Sequence, residues 1–146
     1  MRLSDAKKSA GFSLIETLVV LSIMALVSAA VLVARPRTAA ARVSAEARAI
    51  AANLQLVRSR ARAGNDEIIV SVDTRNRRIG VARAMRQLPT GMEVSLTVAT
   101  SERHGAVGGV RFYPDGGSSG GEIVLTYHGR SERIVVNWFT GTARIE

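Results

Sequence analysis

The chain has 146 residues, of which 47% are hydrophobic and 22% charged, and its formal net charge is +8. Apart from a terminal segment, this length suits one ordinary domain, since single domains commonly hold about 100–150 residues. The chain has no cysteine, which excludes disulfides, a thiol catalyst and cysteine-based metal sites. Every basic residue after Gly11 is arginine, so guanidinium groups carry most of the positive charge.

The N-terminal part divides into a basic leader, residues 1–11, and a long apolar segment, residues 12–34. As an α-helix at ~1.5 Å per residue, the apolar segment would extend roughly 34 Å, enough to cross a hydrocarbon core of ~30 Å. Glu16 is the only ionisable side chain in this segment. A charge in lipid costs on the order of 2.5–3.5 kcal/mol, so an acid at this place is expected to have a partner.

The arrangement of Gly11, Phe12 and Glu16, after a basic leader and within an apolar helix, resembles the class III signal of type IV pilins and type II secretion pseudopilins. In that family a prepilin peptidase cleaves after the glycine and methylates the new N-terminus, here Phe12. The resemblance implies that Glu16 pairs with the N-terminal amine of a neighbouring subunit. It also implies a single-pass protein of the bacterial inner membrane, with a cytoplasmic N-terminus and a periplasmic head.

An ordinary secretory signal or a plain membrane anchor is the alternative interpretation of this stretch. A secretory signal has an apolar region of only ~7–15 residues, followed by an A-x-A-like cleavage site, and the apolar run here is longer. A plain anchor requires neither Glu16 nor a glycine before the helix. The basic leader favours a cytoplasmic N-terminus, whereas Arg35 and Arg37 at the far end oppose it, so the orientation rests also on the resemblance.

Residues 35–64 are predicted to continue the helix as an amphipathic segment. Pro36 predicts a bend, because proline removes one backbone hydrogen bond within a helix. Gly64 and Asn65 predict the C-terminal end of the helix. Apolar side chains recur at steps of three and four and predict one stripe packed on a sheet, namely Val43, Ala47, Ile50, Leu54, Val57 and Ala61.

After Gly64 the hydrophobic period changes to two, which predicts a β-rich head over residues 65–146. Strands are predicted over residues 68–73, 79–81, 92–99, 110–113, 122–127, 134–139 and 142–145. The connection 85–91 is predicted to be irregular and 118–121 to be flexible. Residues 100–109 are predicted to form a polar loop, the first candidate for a mobile segment that binds a partner.

Antiparallel pairing is predicted for these strands, because the sequence shows no second helix that could serve as a crossover. The predicted fold class is therefore α+β, with a long N-terminal helix, membrane-spanning in its first half, packed on an antiparallel sheet or sandwich. Together with the N-terminal signal, this is a type IV pilin-like arrangement.

The C-terminal pattern over residues 112–123, with a later turn at Thr140 and Gly141, resembles the minor pseudopilins of the H type. That resemblance implies a structural subunit of the type II secretion pseudopilus, joining the tip complex of I, J and K types to the major G-type subunit. The other pseudopilins, the prepilin peptidase and the inner membrane are the implied partners. The alternative is a minor type IV pilin that binds DNA for uptake or primes pilus assembly.

Residues 116–120 match G-x-S-x-G, the nucleophile pattern of many hydrolases. That motif requires a following helix, whereas a strand is predicted here, so a solvated Gly/Ser loop is the preferred interpretation. His104 and His128 are predicted to be exposed in loops, and neither has a second ligand at metal spacing. No catalytic, cofactor-binding or metal-binding residue is predicted, and the protein is not predicted to be an enzyme.

The arginine surplus gives a candidate basic patch that could neutralise DNA phosphates or anionic lipid headgroups. Its members are Arg58, Arg60, Arg62, Arg75, Arg77 and Arg78. A solvated basic face is the simpler interpretation. The aromatic side chains Tyr113, Tyr127, Trp138 and Phe139 lie in or beside predicted strands and are expected to pack in the core, which argues against base stacking. Nucleic acid is therefore not predicted as a partner.

Overall fold

The computed structural model describes residues 13–146, with side chains described for 13–30 and 39–146. It contains two compact units, Met1–Arg37, described from residue 13, and Thr38–Glu146. One helix, α1, spans Leu14–Gly64. Its helical assignment continues through residue 36, and the bend expected there stays a prediction. Among the residues described, no helix is both long and apolar enough to cross a membrane.

The second half of α1 packs as its periodicity predicts. All six side chains of the stripe are buried, from Val43 to Ala61. The helix ends at Gly64 because Asn65 adopts a left-handed backbone with φ of 49°. The amide of Asp66 then donates to the carbonyl oxygen of Ala61 at 3.1 Å, which is the Schellman arrangement for closing a helix. The predicted stop is therefore confirmed, with asparagine taking the position that glycine more often occupies.

Within the described residues, nine strands follow α1 and form two antiparallel sheets. The strands are β1 (Ile68–Asp73), β2 (Arg78–Val81), β3 (Ala84–Gln87), β4 (Glu93–Thr97), β5 (Arg103–His104), β6 (Val107–Phe112), β7 (Gly121–Tyr127), β8 (Arg130–Val136) and β9 (Ala143–Ile145). The first sheet has the order β3-β2-β1-β6-β5 and the second the order β4-β7-β8-β9. The α+β class, a helix packed on antiparallel sheets, is confirmed.

A single hydrophobic core joins α1 to both sheets. The inward side chains of β1 and β4 alternate with half-buried or exposed ones, as predicted, so that Val70, Val72, Val94 and Leu96 are buried. The largest fully buried side chains include Phe112 on β6, together with apolar residues of α1, β7 and β8. Burial of this apolar surface, at about 25 cal/mol per Å², is the main force that holds the head together.

The predicted irregular connection 85–91 is wrong over its first part. Residues Ala84–Gln87 form β3, which pairs with β2 from Val81↔Ala84 to Arg78↔Gln87. Most side chains of β3 are exposed, so the strand has no alternation of apolar and polar residues by which it could be recognised. Its place in the sheet depends on backbone hydrogen bonds, and the next residue, Leu88, is buried.

The interpretation of residues 100–109 as a polar loop is also wrong. A short 3₁₀ turn is followed by β5, which pairs with the beginning of β6. Gly108 and Gly109 are buried strand positions: a Cβ on Gly108 would lie 2.7 Å from Leu96, and one on Gly109 2.7 Å from Ile69. A larger residue at either place would have to displace these side chains, so close packing favours glycine, and glycine removes the apolar signal of a strand.

The β7–β8 hairpin turns over two residues, whereas the predicted strands ended at residue 127 and resumed only at residue 134. His128 and Gly129 have φ of 47° and 74°, and positive φ at both central residues is typical of a type I′ turn. Strand β7 ends at Tyr127 as predicted, and β8 begins at Arg130, four residues before its predicted start. The final strand β9 pairs with β8 after the turn at Thr140 and Gly141, as predicted.

The segment 118–121, predicted to be flexible, is a hydrogen-bonded crossing from the first sheet to the second. Ser119 accepts a bond from the amide of Arg111 at 3.0 Å, and its own amide donates to the carbonyl oxygen of Arg111 at 2.9 Å. Ser118 is 5% exposed. Its hydroxyl donates to the carbonyl oxygen of Asn137 at 3.1 Å and accepts from the amide of Gly120 at 3.0 Å. The serine of the G-x-S-x-G match therefore has a structural role.

Replacing Ser118 with alanine is expected to lower the free energy of unfolding by about 1–3 kcal/mol, because the buried amide of Gly120 loses its acceptor and the carbonyl oxygen of Asn137 loses one of its two donors. Urea denaturation of the full chain in detergent micelles measures the change. Ser101→Ala, at an exposed serine, is the matched control and is expected to stay within about 0.5 kcal/mol. Equal effects of the two substitutions would contradict the structural role.

Candidate assembly site

The first turns of α1 expose apolar side chains around the helix. Ten large ones between residues 14 and 27 are between 48% and 90% exposed, namely Leu14, Ile15, Leu18, Val19, Val20, Leu21, Ile23, Met24, Leu26 and Val27. A continuous apolar surface of this extent is typical of a segment that is covered by another molecule. This segment is therefore a candidate contact surface of the protein.

The hydroxyl groups of this segment bond to its own backbone. Those of Thr17, Ser22 and Ser28 each donate to the carbonyl oxygen four residues earlier, at 3.2, 2.8 and 2.8 Å. Within residues 13–30, Glu16 is the one charged side chain. It lies in the first turn, where the helix dipole favours negative charge. Gly11 and Phe12 lie outside the described residues.

In the head, polar side chains of α1 anchor the second sheet and the β6–β7 turn. Arg42 Nη1 donates to the Tyr127 hydroxyl at 3.1 Å, and Arg58 Nε donates to the carbonyl oxygen of Gly116 at 2.9 Å. Further contacts join Ser44 to Glu132, Glu46 to Arg86 and Gln55 to the backbone of Ala143. The helix surface that meets the sheets is thus bound at its edges as well as through the apolar stripe.

The six arginines of the candidate patch are divided by the fold. Arg58 and Arg62 border Gly116 in the β6–β7 turn. Three more members of the patch lie at the β1–β2 turn, namely Arg75, Arg77 and Arg78. Since Ile68 pairs with Phe112 and Asp73 with Val107, these two turns lie at opposite ends of β1, about 17 Å apart at ~3.3 Å per residue.

Arg60, the remaining member, lines a cavity of about 130 Å³ between α1 and strands β2 and β3. Arg86 also lines this cavity and pairs with Glu46. The six side chains therefore approach two turns and one cavity, and anion binding by any of them stays a prediction. A linear count of arginines could not show this division, because it depends on the register between β1 and β6.

Two charged side chains have altered pKa values with local causes. Hydrogen bonds to Glu67 at 2.9 Å and to Glu102 at 3.3 Å raise the pKa of Arg111. The backbone amide and side-chain amide of Asn76 lower the pKa of Asp73 by bonding to its carboxylate. Asp73 thereby stabilises the β1–β2 turn, and Arg111 joins β6 to Glu67, before β1, and to Glu102, before β5. Among the described side chains, no three His, Asp or Glu residues are grouped as a metal site requires.

Trp138 and Phe139 were expected in the core, and this expectation is wrong. Strand β8 ends at Val136, and the two aromatic residues occupy the turn to β9, where they are 69% and 75% exposed. Their ring centroids lie 5.7 Å apart in an edge-to-face arrangement. Asn137 before them and Gly141 after them are turn residues, and this was the signal that could have shown that the strand stops earlier.

Comparison with known proteins decides the family. Residues 46–141 match the family model of the type II transport protein GspH, and residues 6–32 match the prokaryotic N-terminal methylation motif. The chain belongs to the GspH family. Type II secretion system protein H of Xanthomonas campestris pv. campestris is 34% identical over 139 residues, which cover 92% of this chain and 81% of that relative.

Solved structures show the same fold for this GspH family member. The minor pseudopilin EpsH from the type 2 secretion system of Vibrio cholerae has a TM-score of 0.58 at 14% identity, covering 72% of this chain and 96% of that one. The type IV minor pilin FimU of Pseudomonas aeruginosa has a TM-score of 0.54 at 15% identity, covering 71% and 87%. Both likenesses concern the fold alone. The family match favours the pseudopilin interpretation over the DNA-binding pilin.

Proposed function

We propose that this GspH family member is a minor pseudopilin that joins the tip complex of I, J and K types to the major G-type subunit in the type II secretion pseudopilus. In this role it acts by assembly during protein export across the outer membrane, and it catalyses no reaction. The main support is the exposed apolar surface of residues 14–27, which carries one acid and precedes a compact head. Such a surface requires cover by lipid before assembly and by neighbouring helices after it.

The proposed processing begins with cleavage after Gly11 by the prepilin peptidase and methylation of Phe12. The match of residues 6–32 to the N-terminal methylation motif supports this step. Residues 12–34 would then anchor the chain in the inner membrane, with its N-terminus in the cytoplasm. Residues 35–64 would continue the helix outside the membrane, and residues 65–146 would form the periplasmic head.

Glu16 has the proposed role of pairing with the N-terminal amine of a neighbouring subunit. The hydroxyls of Thr17, Ser22 and Ser28 bond within the helix, so the carboxylate is the strong polar group that this segment offers to a partner. An amine at its side would offset the cost of the charge in an apolar environment. Pairing would thereby fix the position of one subunit against the next.

Deleting the gene for this chain and restoring it tests the proposal. We expect the deletion to retain secreted proteins in the periplasm and the restored full-length chain to release them. Mass spectrometry of the restored protein is expected to show an N-terminus at Phe12 with one added methyl group. Normal secretion in the deletion strain, together with loss of DNA uptake or of pili, would support the minor pilin instead.

A further inference from the structure

The turn between β8 and β9 presents the most exposed aromatic side chains of the described head. We name residues 137–141 the aromatic turn. It contains the one tryptophan of the chain, Trp138, and next to it Phe139. Scattered apolar side chains are normal on a protein surface, but two adjacent aromatic rings that are more than two-thirds exposed form a concentrated apolar site.

Hydrogen bonds hold the backbone of the aromatic turn at several points. The Asn137 side chain accepts from the amides of Phe139 and Thr140 at 3.0 and 2.9 Å. The Asn137 carbonyl oxygen accepts from the Gly141 amide at 2.8 Å. The Trp138 carbonyl oxygen accepts from the amide of buried Ser118 at 2.8 Å. The two rings are thus presented on a preorganised turn, which lowers the entropy lost when they are covered.

Guanidinium groups border the aromatic turn through the neighbouring β6–β7 turn. Gly141 packs so closely on Gly116 and Arg58 that a Cβ there would collide with both. A Cβ on Gly116 would lie 3.0 Å from Cδ of Arg62 and 3.4 Å from Nη2 of Arg58. Both glycines have positive φ, which suits this tight contact. Arg58 and Arg62 therefore lie on the same side of the head as the aromatic turn.

The charge left available at this surface is positive. Among the described residues, neither Arg58 nor Arg62 forms a salt bridge. The nearby carboxylate of Asp115 accepts from the amide of Gly117 at 2.8 Å, and Glu122, which borders a groove beside Trp138, pairs with Arg133 at 3.5 Å. A third acid, Glu146, lines a pocket with Asn137 and Thr140, and Arg144, which has the opposite formal charge, lines the same pocket. The two guanidinium groups of Arg58 and Arg62 can therefore meet an incoming acid.

We propose that the aromatic turn, together with Arg58 and Arg62, is the docking surface for an acidic segment with apolar side chains on the head of another pseudopilin. Tryptophan and arginine are the residues most often found at the energetic centre of protein interfaces. The open groove beside Trp138, which Val98 and Val135 also line, offers a place for an apolar side chain of the partner. The inference rests on the proposed function, and it names the surface through which this subunit would bind another pseudopilin.

A single-stranded nucleic acid would need a basic track beside stacking rings. The fold places the hairpin arginines 75, 77 and 78 at the opposite end of β1, so the positive charge does not continue from Arg58 and Arg62 in a track towards them. The observed combination of two rings and two arginines therefore favours a protein partner.

Binding of the purified full chain in detergent micelles to the purified G-, I-, J- and K-type pseudopilins tests the surface. We expect the double variant Trp138→Ala and Phe139→Ala to bind its partner about tenfold or more weakly. Leu56→Ala, at an exposed apolar side chain on the second half of α1, is the control and is expected to bind normally. Because both rings are exposed, thermal unfolding of the double variant is expected to match that of the unaltered protein.

Charge reversal tests the acidic character of the partner. Arg62→Glu is expected to slow association at low salt about threefold or more and to reduce its dependence on salt. Arg130→Glu is the matched control, because Arg130 is exposed at the far end of β8, about 20 Å from the aromatic turn at ~3.3 Å per residue. Equal effects of the two reversals would overturn the proposed acidic segment.

A photo-crosslinking amino acid at position 139 of the full chain in cells, compared with one at position 130, separates the possible failures. Crosslinks to a pseudopilin from position 139 support the inference. Crosslinks from position 130 alone, with normal binding by the double variant, overturn the surface and leave the proposed function intact. If neither position nor the purified chain captures any pseudopilin, the proposed function fails too. The proposal of a protein partner would be overturned if the unaltered chain binds an oligonucleotide but no pseudopilin, and if the double variant loses the oligonucleotide binding.

Discussion

Replacing Phe112 with alanine is expected to lower the free energy of unfolding by about 3–5 kcal/mol, the usual cost of emptying a buried aromatic site. Phe112 is fully buried on β6, in the core that joins α1 and both sheets. A cavity there removes contacts that no neighbouring side chain can replace without moving a sheet. Since small domains have only about 5–15 kcal/mol of stability, this loss is expected to deplete the folded protein in cells.

Phe139→Ala is the matched control for this experiment, because it is the same exchange at a ring that is 75% exposed. Urea denaturation of both full-length variants is expected to separate them clearly, with Phe139→Ala within about 0.5 kcal/mol of the unaltered protein. A comparable loss in the two variants would show that the core assignment of Phe112 is mistaken.

Replacing Glu16 with leucine is expected to leave the protein in the membrane fraction while it fails to join the pseudopilus. Insertion is expected to improve slightly, because a charge is removed from an apolar helix. Assembly is expected to suffer, because removing one member of a buried ion pair typically costs 3–5 kcal/mol, which corresponds to a decrease of about a hundredfold or more in the association constant.

Crosslinking between this chain and other pseudopilins in cells measures incorporation of the Glu16 variant. Glu93→Leu, at an exposed acid on β4, is the control and is expected to crosslink normally. Unchanged incorporation of Glu16→Leu would remove the pairing from the proposed mechanism. Glu16→Gln, which keeps the size and polarity of the side chain, is expected to resemble the leucine variant if charge is the essential property.

The sequence predicted the parts of the fold whose signal is periodic. The stripe of α1 repeats at helical spacing over five turns, and β4 alternates cleanly, so both were placed correctly. Strand β3 and the first residues of β6 were missed because their signal is weak: β3 exposes most of its side chains, and Gly108 and Gly109 have none to display. The order of the nine strands in two sheets depends on long-range pairing and could not be derived from local pattern.

The candidate sites also differ in how far the sequence alone could predict them. Gly11, Phe12 and Glu16 are defined by linear spacing, so the sequence alone could suggest them. The division of the six arginines follows from the pairing of β1 with β6, which no linear motif records. The predicted strand continued to residue 139, and alternation with the buried Ile134 and Val136 would have placed Trp138 in the core. The exposure of Trp138 follows because β8 ends three residues earlier, at Val136.

The four outer strands of the two sheets bear on how such heads can crowd together. These strands are β3, β5, β4 and β9, and they are two to five residues long, with arginine in three of them and Glu93 in the fourth. Short and charged edges resist the backbone pairing by which exposed strands aggregate. Heads held side by side at high local concentration would therefore stay separate folding units. Their mutual recognition would depend on side chains, so that a subunit can be added or withdrawn without breaking a sheet.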